Sequence, residues 1–505
     1  MKKIVLFGAG KSASVLIDYL LDAATENAWK VTVADANKEL ILEKTKNRPQ
    51  SEAISLDIIN DDIRRSLVRD ADIVISMMPP ALHILVAKDC ILYKKNLLTA
   101  SYADDEIKSL EKEVEANGLL FLCEMGLDPG IDHMSAMQLL DEIKAEGGTV
   151  DSFRSHCGGL VAPESDDNPW HYKITWNPRN VVLAGKAGAI YKQDGQTITE
   201  NYETLFDANR KVQTGNEDVP QLSYYPNRNS LPYIDLYGLE EASTFVRTTL
   251  RYPEFMYGWK NVIDLKLTDE TVEYDTTDKS LHDFFRDHLN KNGFSDWLHE
   301  KLTGRFTETK ELLENLMKIM EAEEAAELQG EEPVEEFMLV DESGDLKNVE
   351  LDSVKNLAAS TVAAKMHEAN LTMKQLFYLG LDDSETMINK GVCSAADVLQ
   401  LALEKKLVLN PGDKDMIVML HEIDYTLNGK KNSIHSSLLV KGDDSIHTAM
   451  AKTVGLPLGI AAKLILQGKI NMTGIHIPIT KEIYEPVLNE LKNYGIAFAE
   501  TRTSE

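Results

Sequence analysis

The chain has 505 residues, of which 43% are hydrophobic and 27% are charged, values typical of a soluble globular protein with about two to four domains. Acidic residues exceed basic ones by 29, which argues against nucleic acid and anionic membranes as partners. We expect no membrane span, because no wholly apolar run reaches about 18 residues. We also expect no targeting segment, because the apolar N-terminal run soon gives way to glycines and a polar helix.

The cysteines indicate a reducing environment. Cys90, Cys123, Cys157 and Cys393 share no CxxC spacing, which argues against a structural zinc site or a disulfide framework. We therefore predict a cytoplasmic protein with no metal site.

The first 130 residues alternate between short apolar runs and amphipathic stretches. Most of these runs are apolar at consecutive positions, the pattern of strands that are covered by helices on both faces of a parallel sheet. This predicts an α/β fold with a Rossmann-type, doubly wound parallel sheet. The six predicted strands are Ile4–Phe7, Val31–Ala34, Ile54–Leu56, Ile73–Met77, Leu97–Ala100 and Leu119–Cys123.

The pattern changes after residue 148. Residues 149–255 predict an α+β region with long loops and strands at Ser152–Cys157, Val181–Leu183 and Thr244–Arg251. Residues 256–410 are predicted to be mostly helical. They contain Glu321–Asp345, with eleven acids and no base, which is typical of a solvated helix face or a mobile loop rather than a partner site.

The last hundred residues contain a hairpin signal and a long apolar helix. Met416–Leu427 and Ser433–Val440 predict two strands that turn at Asn428-Gly429. An Ala- and Leu-rich helix is predicted over Ile446–Leu466.

The segment Gly8-Ala9-Gly10-Lys11-Ser12-Ala13 directly follows the first strand and opens a helix. In this G-x-G-x-x-A pattern, the first Gly permits a tight turn, the second lets the backbone approach a pyrophosphate, and a small third residue lets helix and strand pack closely. The N–H groups at the helix start then face the phosphates. The segment predicts a dinucleotide-binding loop.

Asp35 ends the second strand, 25 residues after Gly10. A carboxylate there can bind the adenosine ribose hydroxyls and repel a 2′-phosphate. The alternative role is a helix N-cap, since a helical pattern follows. We favour ribose contact, and hence NAD over NADP, with NADP use possible.

Two further strand ends should line the nicotinamide half of the cleft, Ser76–Pro80 and Thr99–Tyr102. The sixth strand ends in Glu124–His133, with the sequence EMGLDPGIDH. Local structure explains part of it, because Asp128 is a good N-cap and Pro129 a favoured first helical residue.

That decapeptide resembles the signature of the saccharopine dehydrogenase family of glutamate-forming enzymes. Further matching segments follow in order along the chain, and the resemblance covers about residues 1–255 and 410–495. The other matching segments are Thr99–Tyr102, Cys157–Glu164, Asp167–Trp170, Tyr225–Ser230, Val246–Tyr252 and Ala449–Gly455.

The resemblance implies three regions and a homodimer. Residues 1–130 with 445–480 would form the dinucleotide-binding domain, which the late apolar helix completes. Residues 131–255 with 410–444 would form the substrate-binding and dimerisation domain, with a mixed sheet. Residues 256–409 would form a helical insertion, and the acidic run has no counterpart that we find in the family.

The resemblance also implies oxidation of saccharopine by hydride transfer to a nicotinamide, followed by hydrolysis of the imine to glutamate and 2-aminoadipate 6-semialdehyde. The substrate carries three carboxylates, which call for cationic or N–H donors. Arg228 is favoured as a ligand over a surface ion pair, and Arg247 stands near even between the two. The predicted substrate-binding residues are Ser101, Tyr102, Asp128, Arg228, Arg247 and Thr249. The predicted cofactor-binding residues are Gly8, Gly10, Lys11, Ser12, Asp35, Met78, Ser101 and Leu127.

Proton transfer is needed at the amine and at the attacking water. Tyr102, Asp128 and Cys157 are the candidate catalytic groups, and the sequence leaves open which one is the base. At a helix N-terminus Asp128 should stay ionised. Cys157 stands evenly between a role in catalysis and inert packing. His133 and His156 receive no role.

Two other functions compete with this one. A carboxynorspermidine dehydrogenase-like reductase of polyamine synthesis would share the fold and the hydride chemistry. A non-catalytic dinucleotide sensor would need none of the proton-transfer groups. The Arg228 loop and the long insertion favour saccharopine over the polyamine reductase. The segments Ser101-Tyr102, Asp128-Pro129-Gly130 and Cys157-Gly158-Gly159 argue against the sensor.

Overall fold

The computed structural model describes residues 1–297, 336–340, 346–350, 368 and 370–504. The chain divides into two compact units. The first comprises Met1–Asp167, His171–Met256 and Leu407–Glu505, and the second comprises Asn168–Trp170 and Tyr257–Lys406. The three-domain division given above stays a prediction.

The strands of the described residues are numbered in chain order. They are β1 (Lys3–Phe7), β2 (Lys30–Asp35), β3 (Ser51–Ser55), β4 (Ile73–Ser76), β5 (Asn96–Thr99), β6 (Leu120–Leu122), β7 (Thr149–Val161), β8 (Ala189–Gln193), β9 (Gln196–Glu200), β10 (Lys211–Gln213), β11 (Gln221–Pro226), β12 (Arg228–Asn229), β13 (Thr244–Arg251), β14 (Val272–Asp275), β15 (Glu336–Val340), β16 (Leu346–Glu350), β17 (Val392–Ser394), β18 (Asp415–Leu427), β19 (Lys430–Lys441), β20 (Gly474–His476) and β21 (Ala499–Ser504). The α-helices are Ser14–Asn27, Lys38–Thr45, Asp61–Asp70, His83–Tyr93, Asp105–Lys108, Glu111–Ala116, Ile131–Ala145, Pro178–Val182, Tyr202–Leu205, Pro232–Tyr237, Pro253–Asp264, Leu281–Lys291, Ala395–Lys406, Ala449–Leu466 and Lys481–Leu491.

The first unit contains a parallel sheet of seven strands, in the order β20-β6-β5-β4-β1-β2-β3. Helices connect successive strands, which confirms the doubly wound parallel sheet. The strand order reverses between β1 and β4, and in such sheets ligands bind beyond the carboxyl ends of the strands at that point. The seventh strand, β20, was not predicted, because three residues carry too little pattern.

The late apolar helix belongs to this unit and packs on the first helix. A Cβ at Gly455 would lie 2.9 Å from Leu16 N, and one at Gly459 would lie 2.5 Å from Tyr19 Cδ1. Glycines are therefore required where the two helices approach each other. By length and composition, the helix Ala449–Leu466 could cross a membrane, which corrects the expectation that no segment qualifies. However, 78% of this helix is buried inside the fold, as in the core helix of a soluble protein.

The same unit contains a mixed sheet of ten strands, in which β7 is central, parallel to β13 and antiparallel to β18. β18 and β19 form the predicted hairpin, and Asn428 and Gly429 have φ of 52° and 77°, as its two-residue turn requires. This sheet confirms the predicted α+β region.

Two strand predictions need correction. Val181–Leu183 does not form a strand, because Pro178 starts a short helix there and the Asn177 side chain accepts a hydrogen bond from Arg179 N at 2.9 Å. The strand expected at Ile54–Leu56 lies earlier, at β3, paired with β2 from Ser51 to Ser55.

In the second unit, β14 pairs with β17, and the helix Leu281–Lys291 begins with a capping box formed by Ser280 and Asp283. Strands β15 and β16 pair antiparallel. Most of the predicted acidic run Glu321–Asp345 lies outside the described residues, so its structure is not assigned.

Candidate active site

The glycine loop (Gly8–Ala13) lies where the order of the parallel sheet reverses. Gly8 has φ of 101°, and a Cβ there would meet Met77 O at 2.8 Å, so both the backbone conformation and the close approach of β4 require glycine. No atom lies within 4 Å of the position that a Cβ on Gly10 would take. The loop therefore leaves its outer side open to a pyrophosphate.

The helix start completes this phosphate-binding geometry. Residues Lys11–Ala13 form a 3₁₀ turn that runs directly into the helix Ser14–Asn27. Ala13 is 1% exposed, as expected of the small residue at the close helix–sheet contact. Lys11 is exposed and Ser12 half-buried at the mouth of the loop. These residues fit a dinucleotide.

Asp35 is tied to the glycine loop and does not cap the helix that follows it. Its Oδ2 accepts a hydrogen bond from Ala9 N at 2.8 Å, and its Oδ1 accepts one from Asn37 N at 2.9 Å. The helix Lys38–Thr45 is capped by Asn37, whose side chain accepts from Leu40 N. The alternative N-cap role of Asp35 is therefore wrong, and its half-buried carboxylate lies beside the glycine loop. Its contact with a ribose stays a prediction.

Lys44 lies at the same corner and was not predicted. Its Nζ donates to Gly10 O at 2.5 Å. Burial lowers the pKa of Lys44 to about 8, although the Asp35 carboxylate opposes this shift. No sequence motif includes a lysine nine residues after Asp35. Lys44 comes close to the glycine loop only because of the fold.

The ends of β4 and β5 meet through a buried histidine that sequence interpretation missed. His83 Nδ1 lies 2.8 Å from Ser76 Oγ, and its Nε2 lies 2.8 Å from Ser101 Oγ. Met78, half-buried, and Leu127, 5% exposed, are the predicted apolar cofactor contacts near these strand ends.

Asp128 does not cap a helix, contrary to prediction. The helix begins at Ile131, with Gly130 at φ of 146° as its N-cap residue, and Pro129 is not its first residue. A Cβ at Gly130 would lie 2.0 Å from Gly126 O, so the chain folds back on itself here. This tight loop directs the Asp128 carboxylate towards the mixed sheet.

Arg247, on β13, joins two carboxylates of that loop. Its Nη2 lies 2.6 Å from Asp128 Oδ1 and 2.6 Å from Asp132 Oδ2. Its guanidinium carbon lies 4.5 Å from the ring centre of Tyr233. We call Asp128, Asp132 and Arg247 the Arg247 cluster. The predicted substrate contact of Arg247 stays a prediction, and in this structure its charge is already paired.

The two carboxylates of the Arg247 cluster differ in their acidity. Burial raises the pKa of Asp128 to about 6, although Arg247 opposes the shift. Burial also disfavours the Asp132 carboxylate, but His133 and Arg247 outweigh it and lower the pKa of Asp132. The helix dipole given as the reason for an ionised Asp128 is therefore wrong, because Asp128 is buried and lies before the helix, although a pKa of about 6 still leaves it largely ionised at pH 7. Asp132, which was not predicted, acts as the permanent counter-ion.

A second layer of polar groups supports the cluster. Glu124 Oε2 lies 2.8 Å from His133 Nε2 and accepts from Tyr233 Oη at 3.2 Å. The other ring nitrogen of His133 lies 2.6 Å from Tyr237 Oη. His133, left without a role, thus holds Tyr237 and Glu124 in place.

Tyr102 and Arg228 lie together beside Asp128. The Tyr102 hydroxyl donates to Asp128 Oδ1 across a long 3.4 Å, and burial raises the pKa of Tyr102. The Arg228 guanidinium carbon lies 5.4 Å from the centre of the Tyr102 ring. Arg228 is exposed, and it forms no salt bridge with any described residue. Its charge is available to an anionic ligand.

Cys157 and Thr249 are register partners on β7 and β13, so their side chains share one face of the sheet. Arg247, two residues before Thr249, lies on that face too. Burial raises the pKa of the Cys157 thiol well above its usual value, so it is a neutral thiol at pH 7. Thr249 is half-buried. In the part of the chain that the structure describes, no three His, Cys, Asp or Glu side chains are grouped as metal ligands.

A cofactor loop at the sheet's switch point and a buried acid–arginine cluster beyond its strand ends define a dinucleotide-dependent oxidoreductase fold. Two family models match the chain, "Saccharopine dehydrogenase NADP binding domain" over residues 4–122 and "Saccharopine dehydrogenase C-terminal domain" over residues 126–496. The chain belongs to the saccharopine dehydrogenase family.

Individual relatives agree. The chain is 30% identical to the saccharopine dehydrogenase [NADP(+), L-glutamate-forming] of Saccharomyces cerevisiae, with 99% of each chain covered. It is 31% identical to the alpha-aminoadipic semialdehyde synthase of Arabidopsis thaliana, but covers only 44% of it. The chain thus spans about half the length of such relatives. A solved apo structure of the saccharopine dehydrogenase (L-Glu forming) from Saccharomyces cerevisiae matches with a TM-score of 0.75, 28% identity and 100% of both chains covered.

Proposed function

We propose that this chain is a dinucleotide-dependent, glutamate-forming saccharopine dehydrogenase of lysine metabolism. It interconverts saccharopine, water and the oxidised dinucleotide with L-glutamate, 2-aminoadipate 6-semialdehyde, the reduced dinucleotide and a proton. The observation that carries the proposal is that Tyr102 contacts both Asp128 of the Arg247 cluster and Arg228, which forms no salt bridge with a described residue. This combination supplies a base and an anion-binding group next to each other.

The glycine loop and Asp35 would hold the dinucleotide, which supplies the hydride acceptor when bound. Asp35 supports a preference for NAD, because a 2′-phosphate brought against its carboxylate would be repelled. Lys44, 2.5 Å from Gly10 O, limits that preference, because its positive charge lies at the same corner. An acid and a lysine at one site are compatible with use of either dinucleotide, and two relatives have names that specify NADP(+).

The three substrate carboxylates need donors. Arg228 is the main one, because its guanidinium is exposed and can hold a carboxylate bidentately. The hydroxyls of Ser101 and Thr249 add uncharged donors. Arg247 already binds two carboxylates, so its contribution is to orient Asp128 rather than to add free positive charge.

The chain's own groups handle the protons. Asp128 is the favoured base: with a pKa near 6 it is largely ionised at pH 7 and can accept a proton from the substrate amine or the attacking water. Tyr102 holds Asp128 through its hydroxyl. Cys157 is the weakest of the three candidates, because a neutral buried thiol neither accepts nor readily gives a proton.

The test is turnover of saccharopine by the purified chain, followed by the absorbance of the reduced dinucleotide. We expect turnover with saccharopine and none with carboxynorspermidine. Turnover of carboxynorspermidine alone would favour the related polyamine reductase. Dinucleotide binding without turnover of either compound would favour a sensor.

We further propose a homodimer in the cytoplasm. The dimer rests on the family resemblance, and sedimentation of the purified chain tests it. The location is supported by four free, buried cysteines. Microscopy of the tagged chain in its native cell tests it.

A further inference from the structure

His83 lies between two strand ends that line the proposed active site. It is the first residue of the helix His83–Tyr93 and is 3% exposed. Ser76 is the last residue of β4, and Ser101 follows the end of β5 by two residues. The imidazole therefore links a buried strand end to a predicted ligand contact.

Each ring nitrogen has a hydroxyl partner. Nδ1 lies 2.8 Å from Ser76 Oγ, and Nε2 lies 2.8 Å from Ser101 Oγ. Thr99 Oγ1 lies at a weaker 3.4 Å from Nε2 and accepts the Ser101 backbone N–H at 3.2 Å. The ring is thus fixed in orientation by both serines.

The imidazole is neutral at pH 7. Burial lowers the pKa of His83 to about 4, although the nearby Asp104 carboxylate opposes this shift. A neutral imidazole has one donor nitrogen and one acceptor nitrogen. The two serine hydroxyls must therefore be oriented in opposite senses.

Burial of Ser76 decides between the two tautomers. Ser76 is 0% exposed, and its hydroxyl has His83 Nδ1 as its side-chain partner. If Ser76 donates to Nδ1, its buried proton is satisfied. In the other tautomer that proton would be left without the acceptor, which is costly in a buried site. Thr99, which is also buried, loses Nε2 as an acceptor when Nε2 carries the hydrogen, but its 3.4 Å contact is weaker than the 2.8 Å contact of Ser76, so the Ser76 bond decides.

It follows that Nε2 carries the hydrogen and donates to Ser101 Oγ. Among the described residues, the Ser101 proton then has no acceptor. We propose that His83 is a positioning residue that makes the Ser101 hydroxyl a hydrogen-bond donor to a carboxylate of the substrate. This inference rests on the function proposed above and goes beyond it, because it assigns the direction of the Ser101 hydrogen bond and the residue that sets it.

A set of variants tests this through the KM for saccharopine and the KM for the dinucleotide. His83→Asn is too short to reach Ser101, whereas His83→Gln places an amide N–H near the position of Nε2. We expect His83→Asn and Ser101→Ala each to raise the KM for saccharopine roughly tenfold or more, as for a lost hydrogen bond to a charged group. We expect His83→Gln to restore most of it, and the KM for the dinucleotide to change little in the two His83 variants. Ser101 is also a predicted cofactor contact, so Ser101→Ala is compared through the KM for saccharopine alone. The double variant should be no worse than Ser101→Ala alone.

His288→Asn is the matched control. His288 is also buried, with ring nitrogens 2.8 Å from Tyr274 Oη and 2.8 Å from Leu265 O, and it belongs to the other compact unit. This variant should keep the wild-type KM for saccharopine. If His83→Asn does not fold, Ser76→Ala removes the donor to Nδ1 and should raise the same KM by a smaller factor.

The outcomes separate the two proposals. Wild-type turnover with unchanged KM in His83→Asn or, where that fails to fold, in Ser76→Ala would overturn the inference and leave the proposed function standing. Additive effects of His83→Asn and Ser101→Ala would also overturn it. Absence of saccharopine turnover in the wild type would overturn the proposed function, and the inference with it.

Discussion

The glycine loop and the two aspartates of the Arg247 cluster both follow strand ends of the parallel sheet, but the loop and the cluster are built differently. The loop is local: it belongs to a single strand–helix–strand unit, Lys3–Asp35, in which the Asp35 carboxylate accepts hydrogen bonds from backbone N–H groups. In the Arg247 cluster, side chains join Arg247 to Asp128, which lies 119 positions earlier in the chain, and to Asp132, which lies 115 positions earlier. The first can be recognised in the sequence as a motif. The second exists only once two sheets are in place.

The two regions also differ in how they treat a carboxylate. Asp35 is half-buried, beside a lysine. Asp128 is buried and shares its arginine with Asp132, so its pKa rises to about 6. Under the proposed function, we expect Asp35 to select a ligand by its charge and Asp128 to exchange a proton near neutral pH.

The largest effect should come from Asp128→Asn. Removal of a proton-transfer group costs about 10²–10⁴ in rate, and we expect kcat/KM for saccharopine to fall in that range. Stability should not fall. The folded state binds the Asp128 proton more tightly between pH 3.8 and about 6, so ionisation of this group weakens folding as the pH rises through that window. At pH 7 the uncharged Asn is therefore expected to leave Tm unchanged or raise it.

Steady-state kinetics and a thermal melt check this together. Asp70→Asn, the same change at an exposed position, is the control. If Asp128→Asn keeps the wild-type kcat/KM, Asp128 is not the proton-transfer group, and Tyr102 or Cys157 takes that role.

The second largest effect should come from Asp35→Arg, beside the glycine loop. Opposed like charges cost several kcal/mol, so we expect NAD to be preferred over NADP in the wild type and the ratio of their kcat/KM values to shift roughly a hundredfold towards NADP in the variant. Glu39→Arg, an exposed change of the same charge on the next helix, should shift it far less. Equal kcat/KM for both cofactors in the wild type would contradict the role of Asp35.

Arg228→Ala tests the exposed side of the site. Because the guanidinium is partly screened by solvent, we take the lower end of the range for a charged pair, about 2 kcal/mol, or roughly thirtyfold in the KM for saccharopine. Dinucleotide KM should be nearly unchanged. Arg69→Ala, another exposed arginine, is the control. Unchanged saccharopine kinetics in Arg228→Ala would reduce this residue to part of its loop.

The smallest effect should be a pH dependence of cofactor preference. Lys44 has a pKa near 8, so it is charged below that pH and loses its charge above it. The ratio of kcat/KM with NADP to that with NAD should therefore fall severalfold between about pH 7 and pH 9. Lys44→Arg, which stays charged, should show a flat ratio. The same slope in both proteins would exclude Lys44 as the cause.

Much of the fold could be predicted from the sequence because its signals are local. The buried strands of the parallel sheet, the Asn428-Gly429 hairpin and the glycine loop each depend on a few adjacent residues. The strand predicted at Val181–Leu183 is wrong because another local signal is stronger there. The Asn177 cap and Pro178 start a helix, and they outweigh the β-branched residues that follow.

The sequence predicted which residues belong to the site better than it predicted which residues contact each other. Asp128, Tyr102 and Arg228 do lie together, but the sequence placed Asp128 on a helix cap, because it could not show that Gly130 folds back on Gly126. His83, Lys44 and Asp132 were missed because their partners are set by tertiary contacts, and no spacing rule connects a helical His to a serine 18 residues away.

The measurement that tests the account most directly is the pH dependence of kcat/KM for saccharopine in the wild type and in Asp128→Asn. In the wild type we predict a loss of activity on the acidic side with an apparent pKa near 6, as Asp128 becomes protonated. In the variant that acidic limb should disappear, and the remaining activity should be flat between about pH 5 and 7. An acidic limb with the same pKa in both proteins would show that another group is the base, and would contradict the role given to Asp128.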